Sequence, residues 1–284
     1  MNLNGIEHHF IDLDGQRTSY YEAGQGENTI LLLHGGGIDS AMISWGKLIG
    51  GLSARQHIIA PDLPGYGQSD QPDITYTQAF YLDFLTRFLD ALNLEKVSLA
   101  GLSLGGGISL GFALNFPRRV EKLVLLDSYG IMPETPYHKL SYLLVHTPIN
   151  EFFNWYMKHD RNYVRQSLKA MVYDPQNITD ELLDEIMQAV QSPFAGRAFM
   201  STQRNELGWN SLRTNYTGRL SELNIPTLIL QGDHDNSVPL KWVQQAHALI
   251  KNSRLVILKN RKHWVLSENP QEIVEILREF LESS

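Results

Sequence analysis

The stretch "VSLAGLSLGGGISLG", residues 97–111, decides how the rest of the chain is read. An apolar run from Val97 to Ala100 meets Gly101 and Ser103, and then four glycines follow at 105, 106, 107 and 111, where the pattern asks for a helix. Glycine in a helix interior costs about 0.8–1 kcal/mol relative to alanine, so the cluster needs a reason. Gly101-Leu102-Ser103-Leu104-Gly105 fits G-x-S-x-G, the sharp strand-to-helix turn that lifts a serine hydroxyl clear of a sheet. At such a turn the serine backbone is strained, and the residues two positions away must be small. The strand is read as ending at Ala100 and the helix as starting at Ser103. Gly101 and Gly105 serve the turn, while Gly106, Gly107 and Gly111 let the helix pack close to the sheet. The helix N-terminus then points at whatever the hydroxyl attacks. A plain N-cap accounts for the serine but not for a glycine on both sides of it.

On the N-terminal side, the first fifty residues read as strands: "IEHHFIDL" and "RTSYYEA" roughly alternate, and "NTILLLHGGG" is an apolar run stopped by glycines. "HIIAPD" (57–62) is a strand, and residues 77–93 place Phe80, Phe84, Phe88 and Leu92 on one helical face. "KVSLAG" is a strand, 104–115 a helix and "EKLVLLD" a strand. The pattern breaks at Ser128 and resumes near Pro226 with "PTLILQGD", a helix (239–250), the strand "SRLVIL" (253–258) and a last helix (270–282). Continuous apolar strands alternating with helices give an α/β fold with a parallel sheet covered on both faces. Residues 131–217 are helical in character and read as an inserted cap, with the core domain formed by 1–130 and 218–284. The insertion holds 12 of the 28 aromatics and 5 of the 7 methionines, which suits adaptable apolar surface lining a pocket as well as the insertion's own core.

The bulk composition agrees with an enzyme-sized globular chain. It has 284 residues, 43% of them hydrophobic, and 24 basic against 31 acidic residues for a net charge of −7. No basic block suggests a nucleic acid or membrane partner. The N-terminus has no cationic start followed by an apolar run, and no stretch approaches the length of a membrane span. The absence of cysteine excludes disulfides, thiolate zinc sites and a cysteine nucleophile, and fits a cytoplasmic location.

A serine nucleophile needs a base, and the chain has ten histidines. His8, His9 and His57 sit in or beside early strands; His138, His146, His159 and His247 fall on helices or insertion loops. His263 follows the last strand, at the sheet edge where ligands and catalytic groups gather. It is the expected base. A carboxylate must orient it, and "LILQGDHDNSVP" offers Asp233 and Asp235 at the same edge, with Asp127 a third candidate after a neighbouring strand. Asp233-His234-Asp235 could also hold a divalent ion. No second ligand cluster of hydrolase spacing accompanies it, so no metal is expected.

Five motifs in order, "HGGG" (34–37), "APDLPGYGQSD" (60–70), "GLSLGG" (101–106), "GDHDNSVP" (232–239) and "HWVLSENP" (263–270), make the chain resemble an α/β-hydrolase fold enzyme over essentially its whole length. The resemblance implies a mostly parallel eight-stranded sheet. It selects Asp235, three residues after the glycine ending its strand, as the acid, and gives the chain order Ser103, Asp235, His263. It keeps Asp127 at the position that some relatives use. It makes the N–H groups of Gly36 and Leu104 the oxyanion hole, His34 a structural residue, and Asp62, Pro64, Gly65 and Gly67 loop architecture. Relatives usually carry glycine where this chain has Lys262, a cation beside the imidazole that would lower its pKa.

The implied reaction is acyl transfer without a cofactor, on a small-molecule substrate. A small to medium carboxylic ester is the first expectation, because Leu102 and Leu104 flank the serine as in many esterases. Hydrolysis of a carbon–carbon bond in a ring-fission product is the alternative: "HGGG" and His263-Trp264 resemble the meta-cleavage hydrolases. Those enzymes typically have asparagine where Leu102 stands and a cap arginine for the substrate carboxylate, a place open to Arg197 or Arg204. A thioesterase or perhydrolase would use the same triad, and a receptor of this fold would bind its ligand with little turnover. Trp264 is expected to line the pocket.

Overall fold

The apolar runs of the sequence become the strands of one sheet. The computed structural model describes residues 5–283, so residues 1–4 and 284, which the core range also spans, lie outside it. The strands are β1 (Ile6–Leu13), β2 (Gln16–Ala23), β3 (Thr29–Leu33), β4 (His57–Pro61), β5 (Val97–Leu102), β6 (Val120–Leu126), β7 (Thr227–Gly232) and β8 (Ser253–Leu258). They form one eight-stranded sheet in the order β1-β2-β4-β3-β5-β6-β7-β8. The pairs from β4–β3 through β7–β8 are all parallel. β1 and β2 form an antiparallel hairpin, and β2 pairs β4 antiparallel. The hairpin turns through Asp14-Gly15, both at positive φ, the chemistry of a two-residue turn that matches strand twist.

Eleven α-helices are α1 (Ala41–Leu52), α2 (Gln78–Ala91), α3 (Leu104–Asn115), α4 (His138–Val145), α5 (Ile149–His159), α6 (Arg161–Met171), α7 (Asp180–Val190), α8 (Arg197–Glu206), α9 (Leu240–Leu249), α10 (Val265–Glu268) and α11 (Pro270–Glu282) among the described residues. The sheet separates two apolar clusters. Leu31 and Leu33 of β3 point into one with Phe84, Phe88 and Ile108, while Ile30 and Leu32 point into the other with Trp45, Leu48 and Leu277. This alternation is the period-two geometry of a strand buried on both faces.

Two local readings change. Residues 41–52 are helix rather than strand. Ser40 caps α1 by accepting from the Ile43 N–H, and Ala41, Ser44, Trp45, Leu48, Ile49 and Leu52 form its buried face. Gly46, Gly50 and Gly51 obscure that periodicity, and a Cβ on Gly51 would strike Val274 of α11. In α2 the inward face is centred on Tyr81, Phe84, Leu85 and Phe88, leaving Phe80 and Leu92 only partly buried.

The glycine cluster is also resolved. β5 runs to Leu102 and α3 starts at Leu104, so Ser103 alone makes the turn. A Cβ on Gly101 would collide with the Gly105 backbone, and one on Gly105 with the carbonyls of Leu33 and His34 at the end of β3. Gly105 seats α3 against the end of β3, and Gly106 lies close both to the Gly101 carbonyl of β5 and to Ser128 in the loop after β6. Gly107 faces Tyr129 and Gly111 the Tyr216 hydroxyl, so these two serve loop packing rather than close approach to the sheet.

Helices α4 to α8 occupy the segment between β6 and β7, and no strand of the sheet is drawn from it among the described residues. Its enriched residue types part company. Phe152, Phe153, Trp155 and Trp209 are exposed on its outer surface. Met132, Met157, Met171 and Phe199 line the cavity described below.

Gly105→Ala is expected to lose about 1–3 kcal/mol, the range for forced overpacking. Gly50→Ala, exposed on α1 with nothing near its Cβ position, is expected to gain about 0.5–1 kcal/mol from helix propensity. Urea denaturation of both variants checks this; an unchanged midpoint for Gly105→Ala contradicts the packing account.

Candidate active site

All parallel strands of the sheet end at one edge, so the turns after β5, β7 and β8 share a common space. The β5 turn places Ser103 there with φ 48 and ψ −109. Such a backbone costs about 1–3 kcal/mol and persists only when its surroundings hold it. They do: the Ser103 N–H donates to Leu126 O at 2.9 Å, and its carbonyl accepts from Gly107 and Tyr129 N–H, both at 3.0 Å. The side chain makes no helix-capping bond. Its Oγ lies 2.9 Å from His263 Nε2.

His263 follows β8 and is buried. Its Nδ1 lies 2.8 Å from Asp235 Oδ2. With Nδ1–H donated to the carboxylate, Nε2 is left as the acceptor facing the serine hydroxyl. Asp235 also accepts from Gln231 Nε2 at 3.0 Å, and through Oδ1 from the Ser237 and Val238 N–H groups at 2.6 and 3.1 Å. β7 and its turn thus hold the carboxylate with three donors, and His263 adds a fourth contact.

The other two aspartates are sorted by direction. Asp233 turns outward and pairs with His234 Nδ1 at 2.7 Å, so Asp233, His234 and Asp235 do not converge on a point. Asp127 is fully buried, and its Oδ1 accepts the Gly232 N–H at 2.9 Å. Its carboxyl, that of Asp235 and the His263 ring offer atoms within 4.8 Å of one another, the one such cluster among the described residues. Burial first, and the neighbouring Asp235 charge second, push the Asp127 carboxyl well above the usual carboxylate range. Like charges this close disfavour double ionisation, which favours the protonated form of Asp127.

Gly36 and Leu104 face the same space, and neither N–H has an internal acceptor among the described residues. Leu104 is the first residue of α3, where amides are unpaired by helix geometry. A Cβ on Gly36 would strike the Phe199 ring of α8, so the glycine is required by the insertion as much as by any ligand. His34 is engaged at both ring nitrogens: Nδ1 donates to Gly35 O at 2.7 Å and Nε2 accepts from Leu63 N at 3.0 Å. Asp39 carries no sequence motif, yet it holds the glycine loop by accepting from Gly35 N at 2.8 Å and from Ser44 Oγ. Only the fold brings it there.

The Lys262 expectation is corrected. Its Nζ donates to Lys169 O at 2.7 Å, near the C-terminus of α6, where unpaired carbonyls favour a cation. The Trp264 N–H donates to Met171 O at 3.0 Å, and Glu268 Oε2 accepts from Tyr173 and Asp174 N–H. The loop carrying His263 is therefore stitched to the insertion. Trp264 lines the cavity and also packs in the core cluster.

The cavity above Ser103 has a volume of about 780 Å³, in the range of small-molecule sites. Leu102, Met132, Met157, Leu168 and Trp264 make most of its wall apolar, with Tyr129, Gln203 and Glu206 at a polar corner. Among the described residues no lysine or arginine lines it. Arg197 donates to Gln71 O and stacks on Phe194, with 4.3 Å from guanidinium to ring centroid; Arg204 pairs with Glu151 and donates to Val145 O.

The family model for the alpha/beta hydrolase fold matches residues 28–270. A 2-hydroxy-6-oxo-2,4-heptadienoate hydrolase of Pseudomonas putida is 29% identical over 285 residues, covering 99% of this chain and 98% of that protein. The structure of a meta-cleavage product hydrolase from Pseudomonas fluorescens superposes with a TM-score of 0.81 at 27% identity, covering 96% of this chain and 97% of that one. A membrane phospholipase A described as a bacterial virulence factor superposes with a TM-score of 0.80 at 25% identity, covering 99% and 87%.

The neutral Asp127 has a measurable signature. With its folded pKa raised above the unfolded value of about 3.9, the folded state holds one more proton across the interval between them. Stability therefore falls as pH rises through that interval. Asp127→Asn removes this term and keeps the acceptor for Gly232. Its melting temperature relative to the unsubstituted protein is expected to climb as pH rises above about 4; a flat difference contradicts a raised Asp127 pKa.

Proposed function

The chain belongs to the α/β-hydrolase fold family, and from that premise we propose that it is a serine hydrolase of small to medium carboxylic esters without an anionic end. The observation that carries the reading is the Ser103–His263–Asp235 relay, 2.9 and 2.8 Å in its two hydrogen bonds, beneath a largely apolar cavity. Ser103 Oγ attacks the ester carbonyl while His263 Nε2 takes its proton. Asp235 fixes the tautomer and stabilises the imidazolium. The tetrahedral oxyanion accepts from Gly36 and Leu104 N–H. His263 returns the proton to the leaving alcohol, and the acyl-enzyme remains. Water activated by the same imidazole then releases the acid. These residues fill every role without a cofactor or metal. Residues 131–217 act as a cap that keeps bulk water from the cavity, and a cytoplasmic location fits a chain without cysteine.

A second reading, carbon–carbon bond hydrolysis, is favoured by the names of the relatives and by Trp264 after the base. The cavity argues against it. A ring-fission substrate such as the heptadienoate carries a carboxylate, and burying one without a cation or sufficient donors is costly. Arg197 and Arg204 are engaged elsewhere, and Leu102 offers no amide.

A fluorophosphonate probe mapped by mass spectrometry is expected to mark Ser103 in folded protein and not after heat denaturation. Asp235→Asn should cut ester kcat about 10⁴-fold, as loss of the orienting acid does in serine proteases, and Asp127→Asn far less. Absence of the Ser103 adduct, or the reverse ranking of the aspartates, overturns these assignments. In paired assays p-nitrophenyl esters of graded chain length are expected to exceed 2-hydroxy-6-oxo-2,4-heptadienoate in kcat/KM by at least about tenfold, a difference of about 1.4 kcal/mol. The opposite order would establish the carbon–carbon reading.

A further inference from the structure

We propose that Glu206, steadied by Tyr129, is a recognition subsite for the hydrogen-bond-donor end of the substrate, a hydroxyl or an ammonium group carried at the far end of an apolar chain. The inference rests on the ester reading for its substrate class.

The subsite is built by one helix face. Phe199, Thr202, Gln203 and Glu206, spaced three, four and seven residues along α8, all line the cavity. Glu206 is 5% exposed. Its Oε2 accepts from Tyr129 Oη at 2.7 Å and from the Thr214 N–H at 2.9 Å. Both donors sit on the same oxygen, and Oε1 has no protein donor among the described residues. Glu206 forms no ion pair among them, and the cavity it lines has no lysine or arginine. A buried carboxylate keeps about four acceptor positions, and Oε1 faces the cavity that Glu206 lines. A donor on a bound ligand meets it there in place of water.

Tyr129 fixes the orientation. Burial, and then the Glu206 charge, push its phenol upward in pKa, so it stays a donor to Oε2. Its backbone N–H donates to the Ser103 carbonyl at 3.0 Å, which ties the subsite to the nucleophile turn. The favoured ligand is therefore bipolar: an ester at Ser103, an apolar middle against the methionines and leucines, and a donor against Glu206. An anionic end is repelled, which extends the argument made above against ring-fission products.

The test uses binding and turnover on the intact protein, with Glu206→Gln, which keeps the shape and the acceptor but removes the charge. Hexylammonium, hexanol and hexanoate are compared by thermal shift. Esters of one chain length ending in methyl, hydroxyl, ammonium or carboxylate, on the acyl side and on the alcohol side, are compared by kcat/KM. The expected result is stabilisation by hexylammonium or hexanol but not by hexanoate, and donor-ended esters ahead of the carboxylate-ended ester by at least about tenfold. In Glu206→Gln the ammonium-to-methyl ratio of kcat/KM should fall about tenfold, whereas a hydroxyl-specific site would keep its hydroxyl-to-methyl ratio. Tyr129→Phe, which retains the charge, should keep the ammonium preference and guards against misfolding of the first variant.

Equal stabilisation by hexanoate, donor-ended esters no better than the carboxylate-ended ester, or an ammonium preference that persists unchanged in folded Glu206→Gln, overturns the subsite and leaves Glu206 a framework residue. Failure of the ester reading looks different: no ester of any ending turns over, while the thermal-shift ranking still decides the subsite.

Discussion

The arrangement depends on the backbone of one residue. Ser103 stands at positive φ between a strand buried on both faces and a helix whose first turn lies against the end of β3. Neither Gly101 nor Gly105 can carry a side chain there, because each would strike backbone atoms, which have no rotamer to yield. That constraint projects the serine hydroxyl above the sheet edge and leaves the Leu104 amide free. Three hydrogen bonds from neighbouring segments hold the strained residue. Much of β5, β6 and α3 can be understood as the support for a single unfavourable dihedral pair.

Around that point the electrostatics are asymmetric by construction. Two carboxyl groups approach one imidazole, and only Asp235 receives three donors and the Nδ1 contact. Burial and the neighbouring Asp235 both push the Asp127 carboxyl toward its protonated form. The environment, rather than the residue type, decides which aspartate orients the base. The same principle shapes the cavity, where acidic Glu206 and Asp39 stand without a facing lysine or arginine.

The insertion is joined to the chemistry rather than laid over it. Phe199 packs on Gly36, while Lys262 and Trp264, on either side of His263, bond to carbonyls at the end of α6. Glu268 holds the segment after α6 in turn. A displacement of α6 or α8 would therefore be felt at the base and at the glycine loop together, which gives the insertion leverage over both halves of the site.

By itself the sequence determined the strands of the sheet and placed Ser103, His263 and three candidate aspartates at one edge of it. These are local matters: period-two apolar runs, a glycine on each side of a serine, and polar groups just past strand ends, all of which a parallel sheet gathers at one edge. The family resemblance singled out Asp235 among three aspartates; its inward direction came from the β7 turn. Helix α1 was hidden by its three glycines, of which Gly51 answers to Val274, far along the chain. Lys262 looked like a cation for the imidazole until α6 supplied a carbonyl for it. Asp39, Tyr129 and Glu206 belong to no motif, and the absence of a cation in the cavity depends on where Arg197 and Arg204 point. Only the tertiary structure decided these, because a side chain's direction and partners are set by elements distant in sequence, whereas a strand's period and a turn's glycines are written next to one another.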